Sequence, residues 1–207
     1  MPSNAGAQPP PSSILTVCTG NICRSPLAEQ LIRARLAKAG IGNFSVASAG
    51  LHAAAGAPME PLPADLSREY GGNPDGSVGE QITDESVAAA NLVLTMTRKQ
   101  RDELVKRFPG AAQRTFTMAE FVRAAQTLPV TTSQPAAPSW AAVTGSGADS
   151  AVARLVRRTA AVRSAAVLVV ADDIPDPINA TEAVHREVGH RIAGYCDDVV
   201  AILGKHL

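Results

Sequence analysis

The sequence lacks an excess of charge of either sign, because 19 lysine and arginine residues are matched by 19 aspartate and glutamate residues. This balance gives no general electrostatic reason for binding to nucleic acid or to a membrane surface. The chain also has no apolar run long enough to cross a membrane. Its first eleven residues have neither the basic start nor the apolar centre of a signal peptide. We therefore expect neither nucleic-acid binding nor membrane insertion.

Cysteine is scarce, with three residues in 207. Three thiols, two of them close together at Cys18 and Cys23, do not fit a disulfide framework. A reducing cytoplasm is the expected location. The four histidines show no spacing with carboxylates or cysteines that is typical of metal ligands, so no metal is predicted.

With 45% hydrophobic residues, a chain of this length can bury one good core. We predict a single domain over residues 13–207, preceded by a disordered tail at 1–12. Residues 126–150 are rich in Ala, Pro, Ser, Thr and Gly, which is typical of a flexible insertion within a domain.

Apolar spacing predicts alternating strands and helices along the chain. Strands are expected near 14–18, 44–48, 91–96 and 114–116, and helices near 26–39, 60–71, 83–89, 98–107, 117–125 and 181–203. This alternation predicts an α/β fold with an open, mostly four-stranded parallel sheet covered by helices on both faces. A ligand would then bind at the carboxyl ends of the strands.

The loop after the first strand is part of the run Val-Cys-Thr-Gly-Asn-Ile-Cys-Arg-Ser-Pro at residues 17–26. Unpaired backbone N–H groups and the positive end of the helix dipole favour an anion such as phosphate where the following helix begins. Gly20 allows the loop to curl so that successive N–H groups point inward. Arg24 adds a planar fork that can bind two phosphate oxygens at once. We therefore predict a phosphate-binding loop at residues 18–25.

The same loop contains a candidate nucleophile at its first residue, Cys18. The helix dipole, Arg24 and the Ser25 hydroxyl all favour a thiolate there. A buried, inert thiol beside an ordinary turn is the alternative, since free cysteines are commonly buried. The chain has the strand, the glycine, the arginine, the hydroxyl and the proline together at the matching spacing. This combination favours a thiolate that attacks phosphorus.

Departure of an alkoxide or phenoxide from phosphorus needs a proton donor. Three aspartates, Asp172, Asp173 and Asp176, lie in a proline-stiffened segment that could be aimed at the loop. From the residues alone, a solvated acidic turn explains this segment equally well.

The run Cys-Thr-Gly-Asn-Ile-Cys-Arg-Ser-Pro closely resembles the active-site loop of the low-molecular-weight protein tyrosine phosphatases. Further matches follow in the expected order at residues 48–50, 91–97 and 173–177, so the resemblance covers most of 13–124 and 172–203. It implies the flavodoxin-like, three-layer fold of these enzymes, which need no metal or other cofactor and act on phosphorylated proteins.

The resemblance also implies a role for each matching residue. Cys18 would form a phosphocysteine intermediate and Arg24 would bind the phosphoryl oxygens. Asp176 would be the general acid in the first step and the general base in the second. Phosphate would be bound by Thr19, Gly20, Asn21, Ile22, Cys23, Arg24 and Ser25.

Three residues would support the loop in the same family: Asn21, Ser25 and Ser48. Cys23 would form a reversible disulfide with the nucleophile under oxidation. The aromatic residue that usually follows the Asp-Pro pair is missing, because Ile178 and Asn179 stand there. This change weakens the wall against which a phosphotyrosine ring would stack.

Four functions remain to be compared. Phosphotyrosine hydrolysis is favoured over protein-arginine phosphatase activity, which occurs in the Gram-positive branch that this chain also resembles. Members specific for phosphoarginine carry threonine at the position of Ile22. A thiol-coupled arsenate reductase would need an additional cysteine pair between Cys23 and Cys196, where the chain has no cysteine. A non-catalytic phosphate-binding module would not need Cys18 or Asp176.

Overall fold

The computed structural model describes residues 11–129, 150–165 and 172–207. The strands are β1 Ser12–Cys18, β2 Phe44–Gly50, β3 Leu92–Thr95 and β4 Thr115–Thr117. The α-helices are α1 Arg24–Lys38, α2 Pro61–Glu69, α3 Asp84–Ala89, α4 Arg98–Arg107, α5 Met118–Gln126, α6 Ala151–Ala161 and α7 Glu182–His206. Short 3-10 turns occupy Pro109–Arg114 and Arg163–Ala165.

The strands form one parallel sheet in the order β2-β1-β3-β4. One face packs on a cluster that includes apolar side chains of α1, α5 and α7. The other face packs on a smaller cluster with side chains of α3 and α4. The predicted α/β fold, with an open parallel sheet between two layers of helices, is therefore confirmed.

The order of the strands places a crevice at the carboxyl end of β1. The chain leaves β1 into α1 on one face of the sheet, and it leaves the neighbouring β3 into α4 on the other face. Such a change of side opens a crevice between the two connections, where α/β proteins bind their ligands. Residues 18–25 lie at that point.

Several predictions about the chain's organisation fall outside the described residues. Residues 1–10 of the predicted tail and 130–149 of the predicted insertion are not among the described residues. The boundaries of the tail and of the insertion therefore stay predictions. Within the described ranges, no helix is both long enough and apolar enough to span a membrane.

Candidate active site

A neighbouring segment holds the loop at residues 18–25 in place through hydrogen bonds to the backbone carbonyl groups of the loop. Backbone amides of the segment 51–60 donate to them, and the pairs are Leu51 to Cys18 at 3.0 Å, His52 to Thr19 at 3.0 Å, Ala54 to Gly20 at 2.9 Å and Glu60 to Ile22 at 2.8 Å. Carbonyls that are fixed outward leave the N–H groups of the loop for an anion. One of these N–H groups, that of Asn21, already points at the Cys18 Sγ, 3.3 Å away.

Asn21 gives the loop its unusual curvature. Its φ of 56° lies in the left-handed region, which residues other than glycine adopt less readily. Its buried side chain holds this conformation, because Oδ1 accepts from the Glu80 amide at 2.7 Å and Nδ2 donates to the Ser25 Oγ at 2.9 Å. The loop is thus anchored both at its centre and at the start of α1.

Cys18 lies at the base of the loop and is 2% exposed. Its Sγ is 2.9 Å from the Ser25 Oγ, in addition to the contact with the Asn21 amide. Hydrogen bonds to sulfur stabilise negative charge on it. The geometry therefore suits a thiolate that faces a bound anion.

Cys23, the second cysteine of the loop, is in a different environment. Burial, followed by the neighbouring Cys18, raises the pKa of its thiol to about 12. Burial in the core likewise raises the pKa of the third cysteine, Cys196, to about 12. Both groups are therefore protonated at neutral pH, and none of the three cysteines is in a disulfide.

Arg24 connects the loop to the segment that contains Asp176. It begins α1 and is 3% exposed. Its Nη1 donates to the Ile174 carbonyl at 3.1 Å, and its Nη2 donates to the Asp176 Oδ2 at 2.5 Å. Its buried Nε has no acceptor among the described residues. A buried donor of this kind is rarely left without a partner, and an oxygen of a bound anion would satisfy it.

Of the three aspartates that sequence left open, Asp176 is the one that contacts Arg24. Its side chain is 46% exposed and can reach a ligand in the crevice. Asp172 pairs with Arg123, and Asp173 accepts from the backbone amide of Arg98. These two residues are therefore ion-paired anchors rather than members of a solvated turn.

Ser48 makes its hydrogen bond to α1, and its support of the loop stays a prediction. It pairs in register with Thr16, two residues before Cys18, and its hydroxyl donates to the Glu29 Oε2 on α1 at 2.6 Å. The buried hydroxyl of Thr16 instead donates to the Ser25 carbonyl at 2.9 Å. Sequence reasoning missed Thr16 because threonine is an ordinary residue in a strand.

Gln100 is a second residue that sequence reasoning missed. Its buried Oε1 accepts from the amides of Met96 and Thr97, at 3.1 and 3.2 Å, where β3 ends. Its Nε2 then faces the Thr19 Oγ1 at 3.0 Å. This side chain links the loop to the neighbouring strand.

The described residues contain no group of three or more His, Cys, Asp and Glu side chains that could hold a metal ion. His52, which follows the carboxyl end of β2, pairs through Nε2 with Glu103 at 2.7 Å and is exposed. The chemistry available in the crevice is that of a thiol, a guanidinium, a carboxyl group and backbone amides.

Comparison with known proteins gives consistent matches. The family model described as low molecular weight phosphotyrosine protein phosphatase matches residues 13–142. The probable low molecular weight protein-tyrosine-phosphatase EpsP of Ralstonia nicotianae is 35% identical over 108 residues, which cover 52% of this chain and 71% of EpsP. The protein-arginine-phosphatase of Geobacillus stearothermophilus is 37% identical over 112 residues, which cover 54% of this chain and 72% of that protein.

Solved structures agree with these matches. The arginine phosphatase structure from Geobacillus stearothermophilus has a TM-score of 0.63 and 27% identity, and covers 94% of each chain. The low molecular weight protein tyrosine phosphatase of T. tengcongensis has a TM-score of 0.65 over 92% of this chain and 98% of its own. At 24% identity, the second similarity is evidence for the fold alone.

Proposed function

We propose that this chain, which belongs to the low molecular weight phosphotyrosine protein phosphatase family, hydrolyses phosphotyrosine in proteins through a phosphocysteine intermediate. Its membership makes it a phosphatase, a hydrolase of phosphorylated proteins. The choice of phosphotyrosine and the role of each residue are proposals. The observation that carries the residue roles is the buried Arg24, which joins the loop of Cys18 to Asp176 and keeps Nε free of a partner among the described residues.

In the first step, the Cys18 sulfur attacks phosphorus and the bond from phosphorus to the tyrosine oxygen breaks. Arg24 and the N–H groups of the loop, residues 19–25, bind the other phosphoryl oxygens, whose charge they stabilise through the transition state. Asp176 gives its proton to the departing oxygen, so tyrosine leaves as a neutral phenol. The product is a phosphocysteine and an Asp176 carboxylate.

In the second step, water attacks the phosphocysteine in the place that tyrosine has left. The Asp176 carboxylate takes a proton from this water, and the bond from phosphorus to sulfur breaks. The Ser25 hydroxyl, 2.9 Å from the sulfur, stabilises the returning thiolate. Phosphate then dissociates, and Asp176 is again protonated for the next cycle.

Protein-arginine phosphatase activity is the second candidate, and two observations favour it. Relatives with that name are among the matches to this chain. In addition, the segment after Asp176 carries Ile178, 41% exposed, and Asn179 in place of an aromatic residue. Ile22 favours phosphotyrosine, because the resembling enzymes specific for phosphoarginine have threonine there.

Turnover of paired phosphotyrosine and phosphoarginine peptides is the test of this choice. We expect wild type to prefer phosphotyrosine, and Ile22→Thr to shift the ratio of the two kcat/KM values roughly tenfold toward phosphoarginine. Ile22→Val is the matched control, since valine has the shape of threonine without the hydroxyl. Faster turnover of phosphoarginine by wild type would reverse the assignment of the substrate.

Oxidation of the loop by peroxide should be reversible, because Cys18 and Cys23 can form a disulfide. Peroxide would convert the Cys18 thiolate to a sulfenic acid, which the Cys23 thiol would displace with loss of water to give a disulfide. We expect wild type to recover activity in dithiothreitol and Cys23→Ala to recover much less. Cys196→Ala is the control, because it removes an equally buried thiol from outside the loop.

Disulfide formation in the loop should also depend on pH. Burial, the largest cause of the raised pKa of Cys23, remains after Cys18 is oxidised, so the reactive thiolate fraction of Cys23 is small at neutral pH and rises about tenfold per pH unit. The rate at which sulfenic acid disappears should therefore increase from pH 7 to pH 9. Recovery of Cys23→Ala equal to that of wild type would exclude a protective role for Cys23.

We also propose a cytoplasmic location, where the thiols of Cys18 and Cys23 stay reduced.

A further inference from the structure

The acid loop, residues 172–177, is attached to the fold close to its beginning. The Ile174 amide donates to the Met96 carbonyl at 2.9 Å, where β3 ends. The Asp173 Oδ1 accepts from the backbone amide of Arg98 at 2.9 Å, at the first residue of α4. Both attachments join the acid loop to the β3–α4 connection.

A third attachment comes from the other side, from α5. The Arg123 Nη1 and Nη2 donate to the two carboxylate oxygens of Asp172 at 2.6 and 2.5 Å. The Asp172 side chain is 9% exposed and that of Arg123 is 39% exposed. A two-point contact between a guanidinium and a carboxylate fixes direction as well as distance.

The contact between Arg123 and Asp172 joins two segments that lie far apart in the sequence. Arg123 and Asp172 are 49 positions apart, and the predicted insertion at 126–150 lies between them. Their contact joins the end of α5 to the start of the acid loop. It therefore fixes the position at which the acid loop begins.

Two residues after Asp172, the acid loop reaches the phosphate-binding loop. The Ile174 carbonyl accepts from Arg24, and Asp176 contacts the same guanidinium. Proton transfer requires the donor within hydrogen-bond distance of the departing oxygen, and a displacement of about 1 Å can lower a rate by about a hundredfold. Asp172 precedes Asp176 by four residues, and the attachments of Asp173 and Ile174 lie between them. The contact with Arg123 is thus the first of a short series of attachments that together set the path of the acid loop to Asp176.

We propose that Arg123 is a positioning residue for the proton transfer assigned to Asp176, and that it acts through its two-point contact with Asp172. This inference rests on the proposed function of the site. Arg123 differs in this respect from the residues that bind phosphate. Loss of its contact with Asp172 should slow the reaction only where the leaving oxygen needs a proton.

The test uses Arg123→Lys and Asp172→Asn in the full chain. Neither change leaves a buried carboxylate without a cation, since lysine keeps the charge and asparagine is neutral. In single-turnover measurements with a phosphotyrosine peptide, we expect phosphoenzyme formation to slow roughly tenfold. With p-nitrophenyl phosphate, whose leaving group departs as a stable anion, the loss should be less than about twofold.

Two controls separate positioning from a general loss of structure. In an Asp176→Asn background, Arg123→Lys should cause no further loss, because the proton that it positions is no longer there. Arg101→Lys is the matched variant: Arg101 also pairs with a nearly buried carboxylate, that of Glu120 on α5, at 3.0 Å. It should leave the ratio of the two substrates unchanged. Thermal unfolding midpoints of all variants report any loss of stability.

Equal losses with both substrates would overturn the positioning role, as would an effect of Arg123→Lys that persists in the Asp176→Asn background. Unchanged rates in Arg123→Lys and Asp172→Asn would overturn it as well. Each of these results leaves wild-type turnover intact and so rejects only this inference. A wild-type protein without turnover of either substrate would reject the proposed function, and the positioning role with it.

Discussion

Cys18→Ser is expected to lower turnover more than about a thousandfold while phosphate and vanadate still bind. A serine hydroxyl is a far weaker nucleophile than a thiolate at neutral pH. The anion site does not depend on the sulfur, because Arg24 and the N–H groups of the loop remain in place. Steady-state turnover and calorimetric titration with phosphate measure the two properties separately.

Cys196→Ser is the matched control for this variant. It makes the same change in a thiol that is also fully buried, but that lies in α7 and contacts the Ala28 carbonyl of α1. We expect its turnover to stay close to that of wild type in the folded fraction. If Cys18→Ser kept more than about a hundredth of wild-type activity, Cys18 would not be the nucleophile.

The sequence was sufficient to predict most of the fold, because the strands are short apolar runs between turn residues and helix starts. It placed the strand ends less well. β1 begins at Ser12 rather than Ile14, and the Ser13 amide there donates to the Asn91 side chain at 2.9 Å. Such contacts between distant residues extend a strand into polar sequence, where periodicity gives no signal.

The phosphate-binding loop could be predicted because its chemistry is contiguous. Eight neighbouring residues contain the thiol, the glycine, the guanidinium and the hydroxyl. The contact of Ser48 with Glu29 could not be predicted, because the position of Ser48 depends on the register of β2 against β1. Register is set by pairing in three dimensions, and a difference of two residues moves a side chain about 7 Å along the strand.

The anchors of the acid loop could not be predicted for a similar reason. Arg123 and Asp172 are 49 residues apart, and Arg98 and Asp173 are 75 apart. Each arginine lies in a helix whose polar positions look like an ordinary solvated face. Only the packing of α4 and α5 against the sheet brings these cations to the aspartates.

Asp176→Asn is the variant that identifies the proton donor. Asparagine keeps the shape of the side chain and cannot supply a proton to the departing oxygen. With a phosphotyrosine peptide, we expect phosphoenzyme formation to slow by roughly two to four powers of ten. With p-nitrophenyl phosphate the same step should lose much less, since nitrophenolate departs without protonation. Single-turnover measurements with both substrates give the two losses.

Asp197→Asn provides the comparison for this measurement. Asp197 is also a partly exposed carboxylate paired with an arginine, Arg35 of α1, but it lies in α7 away from the phosphate-binding loop. It should affect neither substrate. Because Asp176 also contacts Arg24, the variant could act through phosphate binding instead of through the proton. In that case both substrates would lose equally and phosphate affinity would change, so only a loss that follows the leaving group assigns the acid to Asp176.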